Sequence, residues 1–309
     1  PPTPASEPST PVNIAICWAS DYSLVPSELF STVHYFANKS PEMLRSSTLW
    51  IGSRTQTPIG ILDKKMVRRL PDNISGYIGK GYALLYTGTE DHTHVLIMDL
   101  DSFACPRWLS VVRPYALDNS IDVLWTKAPI DCGGYNEQNC GLVVSSEIRG
   151  HVLDNYRSFT ERNTGTVIMV RRSVNTDMWL ADVLRLYPLI LNAGLTKRGW
   201  NEGVADQPAF REAFFLHRNV LREALLPPSI GCRFGVLASA DIPLSNKPGC
   251  RCACNCLSCA FVHYGNDHRK HFQQCAAIIH GTSPPPTTTH RHPLPTTTNH
   301  HQPSPTRSG

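Results

Sequence analysis

The chain has 309 residues, of which 41% are hydrophobic and 17% charged, so it holds enough apolar material for one large core or two small ones. Its formal charge is +4, with no block of like charge, and this composition gives no indication of nucleic-acid binding. The sequence contains no apolar run of about 18 residues, so no membrane span is predicted. Because the chain begins with Pro1 rather than Met, a trimmed N-terminal anchor or signal stays open.

The two ends of the chain differ in composition from the middle. Residues 1–11 are rich in Pro, Ser and Thr, and residues 282–309 contain two near-copies of a Pro-Thr-His segment. Neither segment has enough apolar residues to bury, so we predict a disordered stem and a disordered tail. This leaves residues 12–281 as the folded domain.

Within that domain, short apolar runs alternate with segments of helical periodicity. The apolar runs predict buried strands at 13–19, 47–51, 95–98, 121–125 and 166–170. The periodic segments predict helices at 26–37, 79–86, 176–191 and 207–216. This order indicates an α/β fold with a mostly parallel sheet covered by helices on both faces. Ligands of such sheets bind at the carboxyl ends of the strands, which directs attention to Asp21, Asp99 and Asp101.

The strand at 95–98 runs directly into Asp99-Leu100-Asp101. Side chains at i and i+2 of an extended segment point the same way, so the two carboxylates are expected to lie together. Such a pair can hold Mg²⁺ or Mn²⁺ and leave coordination positions open for a diphosphate. The alternative is that the two aspartates only end the strand and cap a turn.

The order of the motifs resembles that of the nucleotide-diphospho-sugar glycosyltransferases of the GT-A fold, a Rossmann-like α/β architecture. The likeness covers roughly residues 12–275 and includes the Asp-x-Asp strand end. The other matching segments are the first strand up to Asp21, Asn163-Thr164-Gly165 before an apolar strand, Asp206-Gln207-Pro208-Ala209-Phe210, and Phe261-Val262-His263-Tyr264-Gly265.

The resemblance implies a role for each matching residue. Asp99 and Asp101 would bind the metal and the nucleotide ribose, and His263 would be a third metal ligand. Asp206 and Gln207 would contact the donor sugar near its anomeric carbon. The remaining implied contacts are Asn163 for the donor sugar or the acceptor, Asp21 and Ser20 for the nucleotide base, and Lys80 for a sugar or phosphate.

Simpler interpretations remain open for three of these residues. Asp206 could be only the N-cap of a helix, Asn163 could belong to an ordinary turn, and His263 could be a core histidine. The late element also departs from the family pattern, because the glycine follows His263 by two residues. The phosphate-binding lysine of the family therefore has no firm counterpart, and Lys270 is the candidate.

Five of the eleven cysteines fall within residues 250–259. Their spacing does not match paired Cys-x-x-Cys zinc sites, and we favour disulfides over metal binding or free thiols. With eleven cysteines, at least one is free or pairs between chains. The cysteines and two Asn-x-Ser sequons, at Asn38 and Asn73, favour a secretory compartment, with the Golgi lumen as the expected location.

The sequence therefore predicts a metal-dependent transferase that moves a sugar from a nucleotide-diphosphate sugar, with UDP-sugar as the expected donor, to a glycan or protein acceptor. The family members with a late histidine tend to retain anomeric configuration, so retention is expected. The rival interpretation is a non-catalytic module that binds metal or a partner on an inactive GT-A core.

Overall fold

The computed structural model describes residues 12–20, 46–53, 55, 66–74, 76–88, 90–127, 162–192, 206–227, 229–233 and 259–263. The predicted disordered ends and the predicted helix at 26–37 lie outside these residues. The described strands are β1 (Ile14–Ser20), β2 (Thr48–Ile51), β3 (Val67–Arg69), β4 (His94–Ile97), β5 (Ser102–Ala104), β6 (Val123–Lys127), β7 (Arg162–Arg171), β8 (Glu223–Leu226), β9 (Gly231–Arg233) and β10 (Phe261–His263). The described helices are α1 (Gly79–Tyr86), α2 (Trp108–Leu117), α3 (Val174–Asn192) and α4 (Asp206–His217).

Seven of these strands form one sheet in the order β3-β2-β1-β4-β7-β6-β8. Six of them run in the same direction, while β7 is antiparallel to both of its neighbours, β4 and β6. The carboxyl ends of β1, β2, β4 and β6 therefore share one edge of the sheet with the beginning of β7.

Apolar residues on both sides of the sheet explain its position in the core. In β4, Val95 and Ile97 pack with α1, α3 and α4, whereas Leu96 and the adjoining Met98 pack with α2 and the second sheet. Strands buried on both faces have nearly continuous apolar sequences, as β1 and β4 do. The predicted α/β class, with a mostly parallel sheet and helices on both faces, is confirmed.

Strands β5, β10 and β9 form a second, three-stranded sheet that the sequence did not predict. Strand β10 pairs antiparallel with β5 and parallel with β9. Three-residue strands carry too little periodicity to be recognised, and the pairing of β10 with β5 joins segments more than 100 residues apart. The sequence also did not predict strand β3, which has only three residues, or helix α2, which contains Pro114, a residue that disfavours a helix interior.

The remaining predicted elements agree with the structure to within a few residues. The helix at 79–86 has its predicted ends, whereas the strand at 166–170 begins four residues earlier, at Arg162. In the described part of the chain, no helix is both long and apolar enough to cross a bilayer.

Three cysteines have a described state. Cys17 is a buried free thiol, and burial raises its pKa to about 12, against the smaller opposite effect of a hydrogen bond with Thr87. Cys105 and Cys259 are disulfide-bonded. The other members of the 250–259 cluster lie outside the described residues, so its predicted disulfides stay a prediction.

The aromatic cluster beneath the sheet gives a test of this core. Trp179 is fully buried, packs against Trp125, Phe210 and Phe214, and donates a hydrogen bond to the Phe210 carbonyl (3.3 Å). Trp179→Ala should lower the free energy of unfolding by about 3–5 kcal/mol in denaturant titration. The neighbouring Met178, which is 56% exposed, is the control, and Met178→Ala should change it by less than about 0.5 kcal/mol.

Candidate active site

The two aspartates that follow β4 lie in a turn. Strand β4 ends at Ile97, Leu100 and Asp101 form the turn, and the Ser102 amide donates a hydrogen bond to the Asp99 carbonyl (3.0 Å). The two carboxylates do converge, but through this turn rather than through the predicted extended i, i+2 geometry. Both side chains are half-buried at the carboxyl edge of the sheet.

His263 reaches the same point from the second sheet. It pairs with Ser102 across the β5–β10 ladder, which places it beside the residue that follows Asp101. Its Nε2 lies 3.2 Å from Asp101 Oδ1 and 4.0 Å from Asp99 Oδ2. The structure thus brings together the three predicted metal ligands, with one donor atom from each within 4.8 Å of the others.

These donor atoms fit a divalent cation. Two ligands about 2.1 Å from one ion lie roughly 3.0 Å apart when adjacent, and roughly 4.2 Å apart when opposite, in octahedral geometry. The Nε2 distances of 3.2 and 4.0 Å fall in this range. Two carboxylates with one imidazole suit Mn²⁺, and the oxygen donors also suit Mg²⁺.

A buried lysine lies next to the three candidate ligands. Lys80 Nζ is 2.7 Å from Asp99 Oδ1 and 2.9 Å from Asp206 Oδ2, and it donates a longer hydrogen bond of 3.4 Å to the Thr164 carbonyl. An ammonium group has three donor hydrogens, and these three acceptors match them. Burial disfavours the charged form, but the charges of Asp206 and Asp99 outweigh it and raise the pKa of Lys80 above its usual value. The charged Lys80 ammonium therefore links the Asp99 carboxylate, the Asp206 carboxylate and the Thr164 carbonyl.

Asp206 is the first residue of α4 and is buried. Its Oδ2 accepts hydrogen bonds from Lys80 Nζ (2.9 Å) and from Thr164 Oγ1 (2.9 Å). The side chain thus links the start of α4 to α1 and β7, in addition to any capping role. Among the described residues, the site contains three carboxylates and one ammonium, an excess of two negative charges that a divalent cation would balance.

A bulge in β7 forms the wall of the site opposite the aspartates. The pairing of β6 with β7 jumps from Trp125↔Ile168 to Thr126↔Asn163, so residues 164–167 are not opposed by partners in β6. Asn163 Oδ1 accepts a hydrogen bond from the Gly165 amide (2.7 Å), and the Gly165 carbonyl accepts one from Ser102 Oγ (2.8 Å). The Asn163 segment therefore lies inside β7, and its side chain supports the local backbone.

Of the four remaining predicted site residues, Ser20 and Gln207 lie in the described part of the chain. Ser20 is buried at the carboxyl end of β1, where its carbonyl accepts a hydrogen bond from the Gly52 amide (2.7 Å), and Gln207 is half-buried on the first turn of α4. Asp21 and Lys270 lie outside the described residues. Sequence reasoning assigned no role to Thr164, Gly165 and Ser102, although they adjoin residues that it had singled out.

Burial and neighbouring charges separate the two aspartates electrostatically. Burial, to which the nearby Asp101 charge adds, raises the pKa of Asp99 to about 6, although Lys80 opposes this shift. For Asp101, burial also favours the neutral form, but the hydrogen bond with His263 and the His263 and Lys80 charges outweigh it and lower its pKa. Asp99 is therefore the carboxylate at which a proton would compete with a bound metal near neutral pH.

This difference predicts the pH dependence of metal binding. A metal ligand must be ionised, so a proton on Asp99 should reduce Mn²⁺ affinity by about tenfold per pH unit below its pKa of about 6. An aspartate with the ordinary pKa of 3.8 would leave the affinity flat between pH 5 and 7. Calorimetric titration with Mn²⁺ at several pH values tests this, and His263→Gln removes any contribution from the imidazole. A flat profile in that variant would contradict the assignment to Asp99.

Comparison with known proteins assigns no family. No protein-family profile matches the sequence, and no curated protein matches it. Among solved structures, the chain resembles the galactosyltransferase LgtC in complex with donor and acceptor sugar analogs (12% identity, 85% of this chain and 95% of that one, TM-score 0.44). It also resembles mouse xyloside xylosyltransferase 1 in its apo form (10% identity, 84% and 99%, TM-score 0.45).

A third similar structure is the 4-diphosphocytidyl-2C-methyl-D-erythritolsynthase from Anaerococcus prevotii (11% identity, 70% of this chain and 89% of that one, TM-score 0.38). Its name describes a synthase rather than a glycosyltransferase. At these identities and TM-scores the likeness assigns no activity to the chain, so a function has to rest on the chemistry of the site.

Proposed function

We propose that the chain is a metal-dependent glycosyltransferase of the GT-A kind that transfers a sugar from a nucleotide-diphosphate sugar. The observation that carries the proposal is the convergence of Asp99, Asp101 and His263 at the carboxyl edge of the sheet, with one donor atom from each within 4.8 Å of the others. In a mostly parallel sheet this edge is where ligands bind.

Asp99, Asp101 and His263 would hold the cation, and we propose Mn²⁺, or Mg²⁺ in its place. The bound ion supplies Lewis-acid stabilisation of the negative charge on a diphosphate leaving group. The protein supplies the geometry, because Lys80 binds Asp99 Oδ1 (2.7 Å) while Oδ2 faces His263. The nucleotide would lie along the ends of β1 and β4. Ser20, the last residue of β1, and Asp21, which follows it in the sequence, would contact the base. UDP is the expected nucleotide.

The start of α4 is the proposed place for the donor sugar. Asp206 lies there and is held by Lys80 and Thr164, and Gln207 follows on the same turn with a half-buried amide. Asn163 lies at the beginning of β7 on the same edge and would face the sugar or the acceptor. Lys270 remains the candidate for a further phosphate contact.

The state of the site carboxylates favours retention of anomeric configuration. Asp99 and Asp206 are ion-paired with Lys80, and Asp101 contacts His263. An inverting reaction needs a general base to activate the acceptor, commonly a carboxylate, and among the described residues each of these three site carboxylates already has a charged or hydrogen-bonding partner. A glycan or protein is the proposed acceptor. A secretory compartment, with the Golgi lumen first, is proposed on the cysteine content and the two sequons.

The first experiment on this proposal removes one metal ligand without changing its size. Asp101→Asn should lower Mn²⁺-dependent UDP affinity by about tenfold or more and abolish release of sugar from UDP-sugars, because the amide carries no charge to bind the ion. Calorimetry and a panel of UDP- and GDP-sugars with Mn²⁺ provide the measurements. Asp177→Asn, an isosteric change at an exposed position in the first turn of α3, should behave like the unmodified protein.

The outcomes of that experiment also separate the rival functions. Mn²⁺ binding with no response to UDP, and with no turnover of any donor, would favour a non-catalytic metal-binding module. Release of sugar 1-phosphate rather than free sugar would indicate nucleotidyl transfer, because the bond between the two donor phosphates would break in place of the bond between the sugar and the diphosphate. Near-normal donor turnover by Asp101→Asn would rule out the proposed metal centre.

The second experiment concerns the donor sugar. Gln207→Ala should leave the melting temperature and UDP affinity unchanged and reduce sugar release from the donor by about tenfold or more, since a contact that strengthens in the transition state affects rate more than binding. Gln207 gives a cleaner test than Asp206, whose replacement would leave the buried Lys80 without one of its partners. Unchanged donor kinetics in Gln207→Ala would show that the start of α4 is only scaffold.

A further inference from the structure

Gly165 lies directly against two of the proposed metal ligands. A Cβ atom at this position would be 2.7 Å from His263 Cε1, 3.0 Å from His263 Nδ1 and 3.1 Å from Asp99 Oδ2. Carbon atoms that do not share a bond are usually about 3.5–4.0 Å apart. Any side chain at residue 165 would therefore have to displace the imidazole, the carboxylate or the backbone.

The backbone of Gly165 is anchored on both sides of the residue. Its amide donates to Asn163 Oδ1 (2.7 Å), and its carbonyl accepts from Ser102 Oγ (2.8 Å). Ser102 is also the residue that pairs with His263 across the β5–β10 ladder. The anchor and the imidazole thus belong to the same small sheet, so a strained contact is more easily relieved by the side chains of His263 and Asp99 than by the backbone.

A packing contact can orient the His263 ring, because no described residue forms a hydrogen bond with its second ring nitrogen. Nδ1 is buried, and it has no hydrogen-bond partner in the described part of the chain. A metal-binding histidine is usually oriented by a hydrogen bond at the nitrogen that does not bind the ion. Here the backbone of Gly165 packs against the Nδ1–Cε1 edge of the ring, while Nε2 faces the carboxylates.

We infer that Gly165 is a positioning residue of the metal site: its anchored backbone orients His263 by packing, and its lack of a side chain lets His263 and Asp99 approach one ion. The inference rests on the proposed function, since it needs the site to bind a metal. The requirement is one of space, because the backbone of Gly165 lies outside the left-handed region and alanine could adopt it.

The test measures binding of Mn²⁺ alone, without nucleotide, by the loss of the free-ion signal in electron paramagnetic resonance. Gly165→Ala should weaken Mn²⁺ binding by about tenfold or more, because a displaced ligand loses coordination geometry. Gly81→Ala is the matched control: its Cβ would lie 3.2 Å from Val183 Cγ1 and 3.4 Å from Leu184 Cδ2, side chains of the neighbouring helix α3. That variant should bind Mn²⁺ within about twofold of the unmodified protein, whatever its melting temperature.

A double variant separates positioning from a general structural effect. In a His263→Ala background most of the clash is gone, so adding Gly165→Ala should change the remaining Mn²⁺ affinity by less than about twofold. If Gly165→Ala alone does not fold but the double variant does, the clash with His263 is also supported. If neither folds, the glycine serves the fold itself and the inference is wrong.

The failure of this inference differs from the failure of the proposed function. Tight Mn²⁺ binding by both the unmodified protein and Gly165→Ala would overturn the role of Gly165 and leave the metal site standing. Absence of Mn²⁺ binding by the unmodified protein would overturn both.

Discussion

The ammonium of Lys80 lies between the half-buried carboxylate of Asp99 and the buried carboxylate of Asp206, and the geometry of the candidate site depends on it. Its nitrogen contacts Asp99 (2.7 Å), Asp206 (2.9 Å) and the Thr164 carbonyl (3.4 Å), which joins α1, the turn after β4, β7 and the start of α4 at one atom. A buried ion pair of this kind adds little net stability, because desolvation offsets much of the attraction. Its effect is to fix one oxygen of Asp99 and to leave the other directed toward His263.

The site is built from residues that are far apart in sequence and meet because of the strand order. Six strands of the large sheet run one way, so the end of β4 lies at the same edge as the beginning of the reversed strand β7. The bulge in β7 then brings Thr164 and Gly165 to the aspartates, and the β5–β10 ladder adds His263. Each contribution comes from a different departure from a regular parallel sheet.

The sequence was sufficient to predict the elements with strong periodicity. The apolar runs of β1 and β4 and the helical spacing of α1, α3 and α4 each specify their element locally, and the Asp-x-Asp strand end pointed to the candidate metal site. The sequence also singled out His263 and Asp206, but through resemblance to a family rather than through local pattern.

Features formed by long-range pairing could not be predicted in this way. The three-residue strands β5 and β10 have no detectable period, and their pairing alone places His263 beside Asp101. The resemblance implied that Lys80 contacts a sugar or phosphate, and only the fold shows that its ammonium is ion-paired with Asp99 and Asp206. The contact of Gly165 with His263 likewise depends on a bulge whose register is set by the facing strand.

The most direct test of this account is pulsed electron paramagnetic resonance of Mn²⁺ bound to the protein in the presence of UDP. The account predicts coupling of the manganese to one histidine nitrogen and to phosphorus of the nucleotide, with the nitrogen coupling lost in His263→Gln. Because the segment after residue 282 is rich in histidine, that variant also identifies which histidine binds. A nitrogen coupling that persists in His263→Gln, or a bound ion with no phosphorus coupling, would contradict the proposed donor site.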